Sequence, residues 1–245
     1  MSATPAAPAA PSSSHVPPVV DASEVPDGAH LVDIRWALDG SKGRGTYLKG
    51  HLPGAVYVDL GADLAAPASA TGGRHPLPAP EDFAAAMGRA GISDGDTVIA
   101  YDDTDGSQAS RLVWMLRALG EDAALLDGGL RAAVAAGARL ETDDVRPDPG
   151  SFTPRPWGAD VVATPDEAAR AASGEADAPV VVDARAPERY RGETEPIDPR
   201  AGHVPGAVNV PFTGNVDDAV GSSRPTPCAP GSSPRGCRSG TPGPT

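Results

Sequence analysis

Cysteine is scarce in this chain: two residues, Cys228 and Cys237, among 245. That excludes a disulfide framework and fits a reducing compartment, so a cytoplasmic location is expected. Two cysteines without further ligands also make no zinc cage, and neither a metal nor a cofactor is expected. Basic residues are outnumbered, with 20 Lys and Arg against 33 Asp and Glu and a formal charge of −13. A nucleic-acid partner needs clustered cations to neutralise phosphates, so that class is set aside. No apolar run approaches the ~20 residues that cross a bilayer, which removes the membrane as a partner. Aromatics are only 4%. Residues 1–18 are rich in Ala, Pro and Ser, with neither a basic start nor an apolar stretch, and read as a disordered lead rather than a signal peptide. No G-x-x-x-x-G-K-[S/T] pattern is present, so Gly128-Gly129 is read as a strand-exit turn and not as a phosphate loop.

What the chain does have is a phrase used twice. Residues 50–58 read G-H-L-P-G-A-V-Y-V and residues 202–210 read G-H-V-P-G-A-V-N-V. Each copy follows an apolar run closing on an acid and an arginine, L-V-D-I-R at 31–35 and V-V-D-A-R at 181–185. Linked motifs recurring in order at nearly constant spacing imply two homologous domains, which the length accommodates.

Short apolar runs at 30–34, 55–60, 97–101 and 123–126 read as strands, the first and third of the fully buried type. Helices are expected at 80–91, opened by Pro80-Glu81-Asp82, at 109–119, stopped by Gly120, and at 130–136, ended by Gly137. Residues 22–25 form at most one helical turn, and 39–50 is a loop delivering the chain to His51. Strands alternating with helices indicate an α/β layer on a parallel sheet covered on both faces. Four prolines between 147 and 156 keep the backbone extended, so 141–160 is taken as a linker between a first domain at 19–140 and a second at 161–220. In the second copy, Thr164-Pro165-Asp166-Glu167 starts a helix, 180–182 is a buried strand, 188–200 a loop and 207–210 a strand.

The second copy then departs from the first. After Val220 there is no Ile, Leu, Val, Met or aromatic residue, and 19 of the last 25 residues are Gly, Pro, Ser or Thr. Residues 221–245 therefore read as a disordered tail that cannot bury a core. Back-translated and shifted by one base, the tail codons permit an amphipathic helix with an early acid and arginines on one face. The sequence thus predicts a frameshift near residues 217–221, either an error in sequencing or a lesion in the gene.

These motifs resemble the two-domain rhodanese family of thiosulfate and 3-mercaptopyruvate sulfurtransferases. The matching stretches are V-D-I-R-W at 32–36, G-H-L-P-G-A-V at 50–56 and L-D-G-G at 126–129. In the second half they are V-D-A-R at 182–185, E-R-Y-R-G at 188–192 and G-H-V-P-G-A-V-N-V-P-F at 202–212. The resemblance covers roughly residues 19–220 and implies tandem rhodanese-like domains, each a parallel β-sheet flanked by helices, the second incomplete. It implies transfer of a sulfane sulfur from a small anionic donor to a thiophilic acceptor through a cysteine persulfide on a strand-to-helix loop of the second domain. A thiolate there needs a ring of backbone N–H groups to lower its pKa, and the anionic donor needs arginines beside it.

In the first copy Asp102 occupies the position of that cysteine, and a carboxylate cannot carry sulfane sulfur, so the first domain is expected to be non-catalytic. Ala132-Ala133 stand where many relatives have a tryptophan, a departure that bears on packing. In the second copy Arg189 and Arg200 match donor-binding arginines, with solvated surface charge as the plainer alternative. The cysteine loop itself is missing: Cys228 and Cys237 neither follow a strand nor precede a helix. His51 and His203 are read as structural, bonding backbone or the motif aspartate, rather than catalytic. Asp33 with Arg35, and Asp183 with Arg185, are read as structural ion pairs. Two functions remain in view, a sulfurtransferase lacking its cysteine loop and a non-catalytic module binding anions or partners. A phosphatase sharing the fold would need a Cys-x5-Arg loop, which is absent.

Overall fold

The computed structural model describes residues 16–70, 72–173 and 178–216. Residues 1–15 of the lead, the tail with Cys228 and Cys237, and the expected frameshift region lie outside the described residues. Residues 16–18, read as part of a disordered lead, are instead bonded to the first copy, Val16 O accepting from Arg117 Nη1 and Pro18 O from Leu125 N–H.

Five strands form one parallel sheet. They are β1 (Val19–Val20), β2 (His30–Asp33), β3 (Val56–Tyr57), β4 (Val98–Tyr101) and β5 (Ala123–Leu126), in the order β1-β5-β4-β2-β3. Alternation along β4 shows how the sheet is buried. Val98 and Ala100 face one apolar cluster, Ile99 and Tyr101 the other, and all four are inaccessible to solvent. On the first face lie α2 (Pro80–Arg89), through Phe83 and Met87, and α3 (Ala109–Ala118), through Leu112, Met115 and Leu116. The second face is covered by α4 (Gly129–Ala135), through Leu130 and Ala133. The helices expected at 80–91, 109–119 and 130–136 are present within two residues of those bounds. β1 was not expected. Its two residues carry no periodicity, and it exists because Leu125 N–H donates to Pro18 O and Asp127 N–H to Val20 O. A single turn, α1 (Arg44–Tyr47), interrupts the loop read at 39–50.

The proline-rich segment has no regular element but is not a free linker. Its Phe152 is buried edge-on against Phe83, with centroids 5.8 Å apart, and Trp157 Nε1 donates to Pro78 O at 2.8 Å. Gly150 N–H donates to Gly88 O at 2.8 Å, and a Cβ on Gly150 would lie 2.3 Å from Ile92 O, so only glycine fits. Arg155 adds a hydrogen bond to Leu119 O and an ion pair with Glu121. These residues strap the first sheet's helical face.

The second copy contains α5 (Pro165–Ala172), β6 (Val182–Asp183), α6 (Pro187–Tyr190), β7 (Val208–Asn209) and a 3-10 turn at Phe212–Asn215. Thr164 caps α5 reciprocally with Glu167, as its sequence predicts. β6 pairs with β7 in parallel, Val182 with Val208 and Asp183 with Asn209, repeating the register of Val32 with Val56 and Asp33 with Tyr57. The expectation of a buried strand at 180–182 needs correction. Val180 is 71% and Val182 55% exposed, whereas Val32 is fully buried. The physical reason is the number of partners. β2 lies between β3 and β4, while among the described residues β6 has β7 alone and α5 buries no residue. Among the described residues no helix is long and apolar enough to cross a membrane.

Candidate active site

The repeated phrase folds twice into the same latch. Arg35 clasps Asp33 through Nε and Nη2, the latter at 2.6 Å, and Nη2 also donates to Gly50 O at 2.6 Å. Arg185 does the same with Asp183 at 2.6 Å and Gly202 O at 2.7 Å. The two arginines thereby tie each strand's end to the loop that brings in the histidine. Each histidine ring stacks on a tyrosine, His51 on Tyr47 at 4.0 Å and His203 on Tyr190 at 3.8 Å. Each tyrosine hydroxyl then donates to the alanine carbonyl of P-G-A, Tyr47 to Ala55 at 2.9 Å and Tyr190 to Ala207 at 2.7 Å. The histidines bond backbone carbonyls: His51 reaches Leu52 O and Asp143 O, and His203 reaches Tyr190 O. Neither uses the motif aspartate, which Arg35 or Arg185 already occupies. The first latch is buried and the second is partly open, with Arg185 holding Asp183 below the usual carboxylate pKa.

At the carboxyl end of β4 the chain turns into α3 through the loop 102–108. Asp102 is buried there, its carboxylate turned inward. Oδ1 accepts from Thr104 N at 2.8 Å, Thr104 Oγ1 at 3.0 Å and Gly106 N at 3.1 Å. Oδ2 accepts from Gln108 N and Ala109 N, both at 3.1 Å. Four backbone N–H groups thus converge on one anion, a nest that the side chain of the loop's own first residue fills. Asp103 pairs outward with Lys42 at 2.7 Å. Behind the loop, Leu130 N–H donates to Asp102 O, and a Cβ on Gly129 would meet that oxygen at 2.5 Å. The Gly-Gly turn therefore lets α4 approach the nest.

In the second copy the cations form a chain linked by two acids. Arg185 and Arg200 line one open cleft with Asp183, Asp198 and His203. Arg189 is not in that lining but joins the group through Glu195, whose Oε1 it meets at 2.7 Å while Arg185 approaches Oε2 at 3.4 Å. Arg189 also lies 3.5 Å from Asp198, whose other oxygen is 2.9 Å from Arg74 of the first copy. Glu195 is lowered to about 2, chiefly by the Asp198 N–H; burial opposes this, and Arg189 and the Ile197 N–H add to the lowering. Arg200 is exposed. Sequence reasoning gave no role to Glu195, Asp198 and Arg74, and the tyrosine pairing escaped it as well. A tyrosine shortly before each Gly-His was the available signal for the latch. The acids sit in the segment by which the second copy separates Tyr190 from His203 more widely than the first separates Tyr47 from His51. Among the described residues no group of three or more His, Cys, Asp or Glu is placed to hold a metal.

A parallel sheet covered on both faces, with a strand-to-helix loop that cradles an anion and latches repeated in a second copy, defines the rhodanese class of α/β domain. Residues 20–136 match the rhodanese-like domain family, and the chain belongs to the rhodanese family. It is 41% identical over 186 residues to SseB of Mycobacterium tuberculosis, named a thiosulfate sulfurtransferase, covering 76% of this chain and 65% of that one. With a Pseudomonas aeruginosa protein named a 3-mercaptopyruvate sulfurtransferase it shares 42% identity over 190 residues, covering 76% and 66%. The crystal structure of SseA, a 3-mercaptopyruvate sulfurtransferase of Escherichia coli, superposes with a TM-score of 0.69 at 32% identity, covering 80% of this chain and 73% of that one. The chain thus spans slightly less than two thirds of the length of the two curated relatives.

Proposed function

We propose that this chain has the framework of a sulfurtransferase that moves a sulfane sulfur from thiosulfate or 3-mercaptopyruvate to a thiophilic acceptor, and that its 245 residues supply no loop for the cysteine. In such a reaction a cysteine thiolate attacks the donor's outer sulfur. The S–S bond of thiosulfate or the C–S bond of 3-mercaptopyruvate breaks, and sulfite or pyruvate leaves. The persulfide sulfur then passes to the acceptor, regenerating the thiolate. The observation that carries this reading is the gathering of Arg185, Arg189 and Arg200 beyond the carboxyl ends of β6 and β7, where ligands of open parallel sheets bind. Arg189 and Arg200 are the donor ligands in it. The first copy cannot serve in place of the second, because its nest holds Asp102 and a carboxylate has no sulfur to give. The names of the relatives point to the same two donors.

Two measurements test the two halves. Purified full chain, assayed with thiosulfate and cyanide and with 3-mercaptopyruvate and a thiol, is expected to show no turnover. Turnover abolished by Cys228→Ser or Cys237→Ser would refute the missing loop. Direct titration with thiosulfate and with pyruvate is expected to show binding that Arg189→Ala abolishes. Equal binding by the wild type and that variant would refute the donor site. Asp102 in its nest also favours the second reading, a rhodanese-like module that binds anions without catalysis. Resequencing through codon 217 in independent isolates separates the two: a single intact frame through the tail favours the module, and a shifted frame the interrupted enzyme.

A further inference from the structure

The strand pair of the second copy has one open edge. Alternate residues of a strand turn their N–H and C=O to opposite sides. Val181 O and Asp183 O accept from Val208 N–H and Val210 N–H, so Val180 and Val182 turn their own groups away from β7. On that side β6 has no partner strand among the described residues. β2 is paired there by β4, His30 N–H donating to Thr97 O and Ile34 N–H to Tyr101 O. Val180 and Val182 stand exposed along the edge, while Val32, the counterpart of Val182, is fully buried. The rest of the chain offers no strand to cover it. Among residues 1–15, 174–177 and 217–245, Val220 is the single Ile, Leu, Val or aromatic residue. The edge is, however, complementary to itself. Set antiparallel about a two-fold axis at Val181, it brings Val180 opposite Val182 and Asp183 opposite Pro179. No like charges meet, and Arg185 already neutralises Asp183. Pro179 faces the β7 side, so it removes no donor from the edge.

We propose that two molecules of this chain pair through β6, antiparallel and about a two-fold axis at Val181. Val182 N–H donates to the partner's Val180 O, and Val180 N–H to the partner's Val182 O, with the same bonds repeated by symmetry. The outward backbone groups of both strands are then satisfied, and Val180 packs against the partner's Val182 on one face of a β7-β6-β6-β7 sheet. The same patch serves on both molecules, so the pairing closes at the dimer and does not propagate. One short strand pair makes a small interface, and the dimer is accordingly a weak, reversible one.

The test uses the full chain carrying Cys228→Ser and Cys237→Ser, in sedimentation equilibrium at physiological salt, which screens the charge of −13 on each molecule. A reversible monomer–dimer equilibrium is expected. Val182→Pro removes an outward N–H and none that bonds β7. It is expected to weaken the dimer about thirtyfold, the scale of two hydrogen bonds lost per dimer, and to leave the melting midpoint of the first copy unchanged. Val181→Cys sets two thiols across the axis in a non-hydrogen-bonded pair, with Cα atoms about 4.5 Å apart, and is expected to give a disulfide-linked dimer on mild oxidation. In Val180→Cys the two thiols stand diagonally, at about 7–8 Å, and should link far less. A monomer at every concentration overturns the proposal, and so does association that grows past the dimer. A dimer that keeps its affinity in Val182→Pro and links equally through Val180→Cys and Val181→Cys forms elsewhere on the molecule, which overturns this pairing as well. A monomer whose Val182 amide resists deuterium exchange has its edge covered by its own terminal residues, and that result also overturns it.

Discussion

At the scale of single residues, Asp102 is a side chain whose surroundings fix its chemistry. Four backbone N–H groups and a hydroxyl satisfy its two oxygens inside a buried loop, so the loop's shape and the carboxylate require each other. Removing the acid leaves several converging donors without an acceptor, at a cost of about 3 kcal/mol. Asp102→Ala is therefore expected to lower the urea midpoint substantially. Asp102→Asn should also destabilise, because its amide N–H2 group would face N–H donors. If Asp102→Asn melts with the wild type, the nest is not selecting an anion. The resemblance led to the expectation that Asp102 stands where a nucleophile would; its inward bonding accords with that expectation, since a ring of N–H groups that could steady a thiolate also steadies a carboxylate. What could not be read was Asp198. No periodicity marks an acid in an irregular loop, and its partners are Arg189, nine residues away, and Arg74, 124 residues away.

At the scale of elements, periodic signals were readable and single turns were not. The helices α2 and α3 announce themselves by Pro and acids at one start and a glycine stop at the other, and β4 by four apolar residues in a row. α1 and α6 have one turn each and no stripe; they exist because Tyr47 and Tyr190 must stack on the histidines and reach Ala55 O and Ala207 O. Tyr47→Phe is expected to cost about 1 kcal/mol, since the hydroxyl also accepts from Val145 N, and stability by denaturant melt reads it. The strap at 147–157 was legible only as extended backbone. Its Phe152 fills the gap beside Phe83, so Phe152→Ala should destabilise the first copy by about 3 kcal/mol. A free linker would show no change. The loop at 193–200 carries a pH dependence. Glu195 is lowered from 4.5 to about 2 in the folded chain, so its contribution to stability is full above pH 4.5 and is lost as pH falls towards 2. Glu195→Gln is expected to flatten the acid limb of the stability profile over that window. An unchanged acid limb would mean that the bonds Glu195 accepts from the Asp198 N–H and from Arg189 do not hold the loop.

At the scale of the whole molecule the two copies share a design and differ in how much they bury. The first encloses its sheet between two apolar clusters. Beyond residue 161 Ala207 is the single buried hydrophobic residue among those described, while Val180, Val182, Val208, Val210 and Phe212 stand exposed around one strand pair. Burial of apolar area is the main favourable term in folding, so the second copy's latch is made of the same hydrogen bonds with far less packing behind it. Local opening free energies should diverge accordingly. In native-state hydrogen exchange, the amides of β4 and β5 are expected to exchange only through global unfolding. Those of Val208 and Val210, which donate to Val181 O and Asp183 O, should exchange through cheap local opening, at least about a hundredfold faster. Equal protection of Val208 and Ala100 would show that the β6–β7 pair is supported by more than its described contacts. The same exposed valines leave a sheet edge open to other chains, a liability that proteins blunt with charge. Val182→Lys is therefore expected to raise solubility without lowering the melting midpoint of the first copy, read by sedimentation and by calorimetry on one sample. A lower midpoint would mean that Val182 is buried against something the first copy needs.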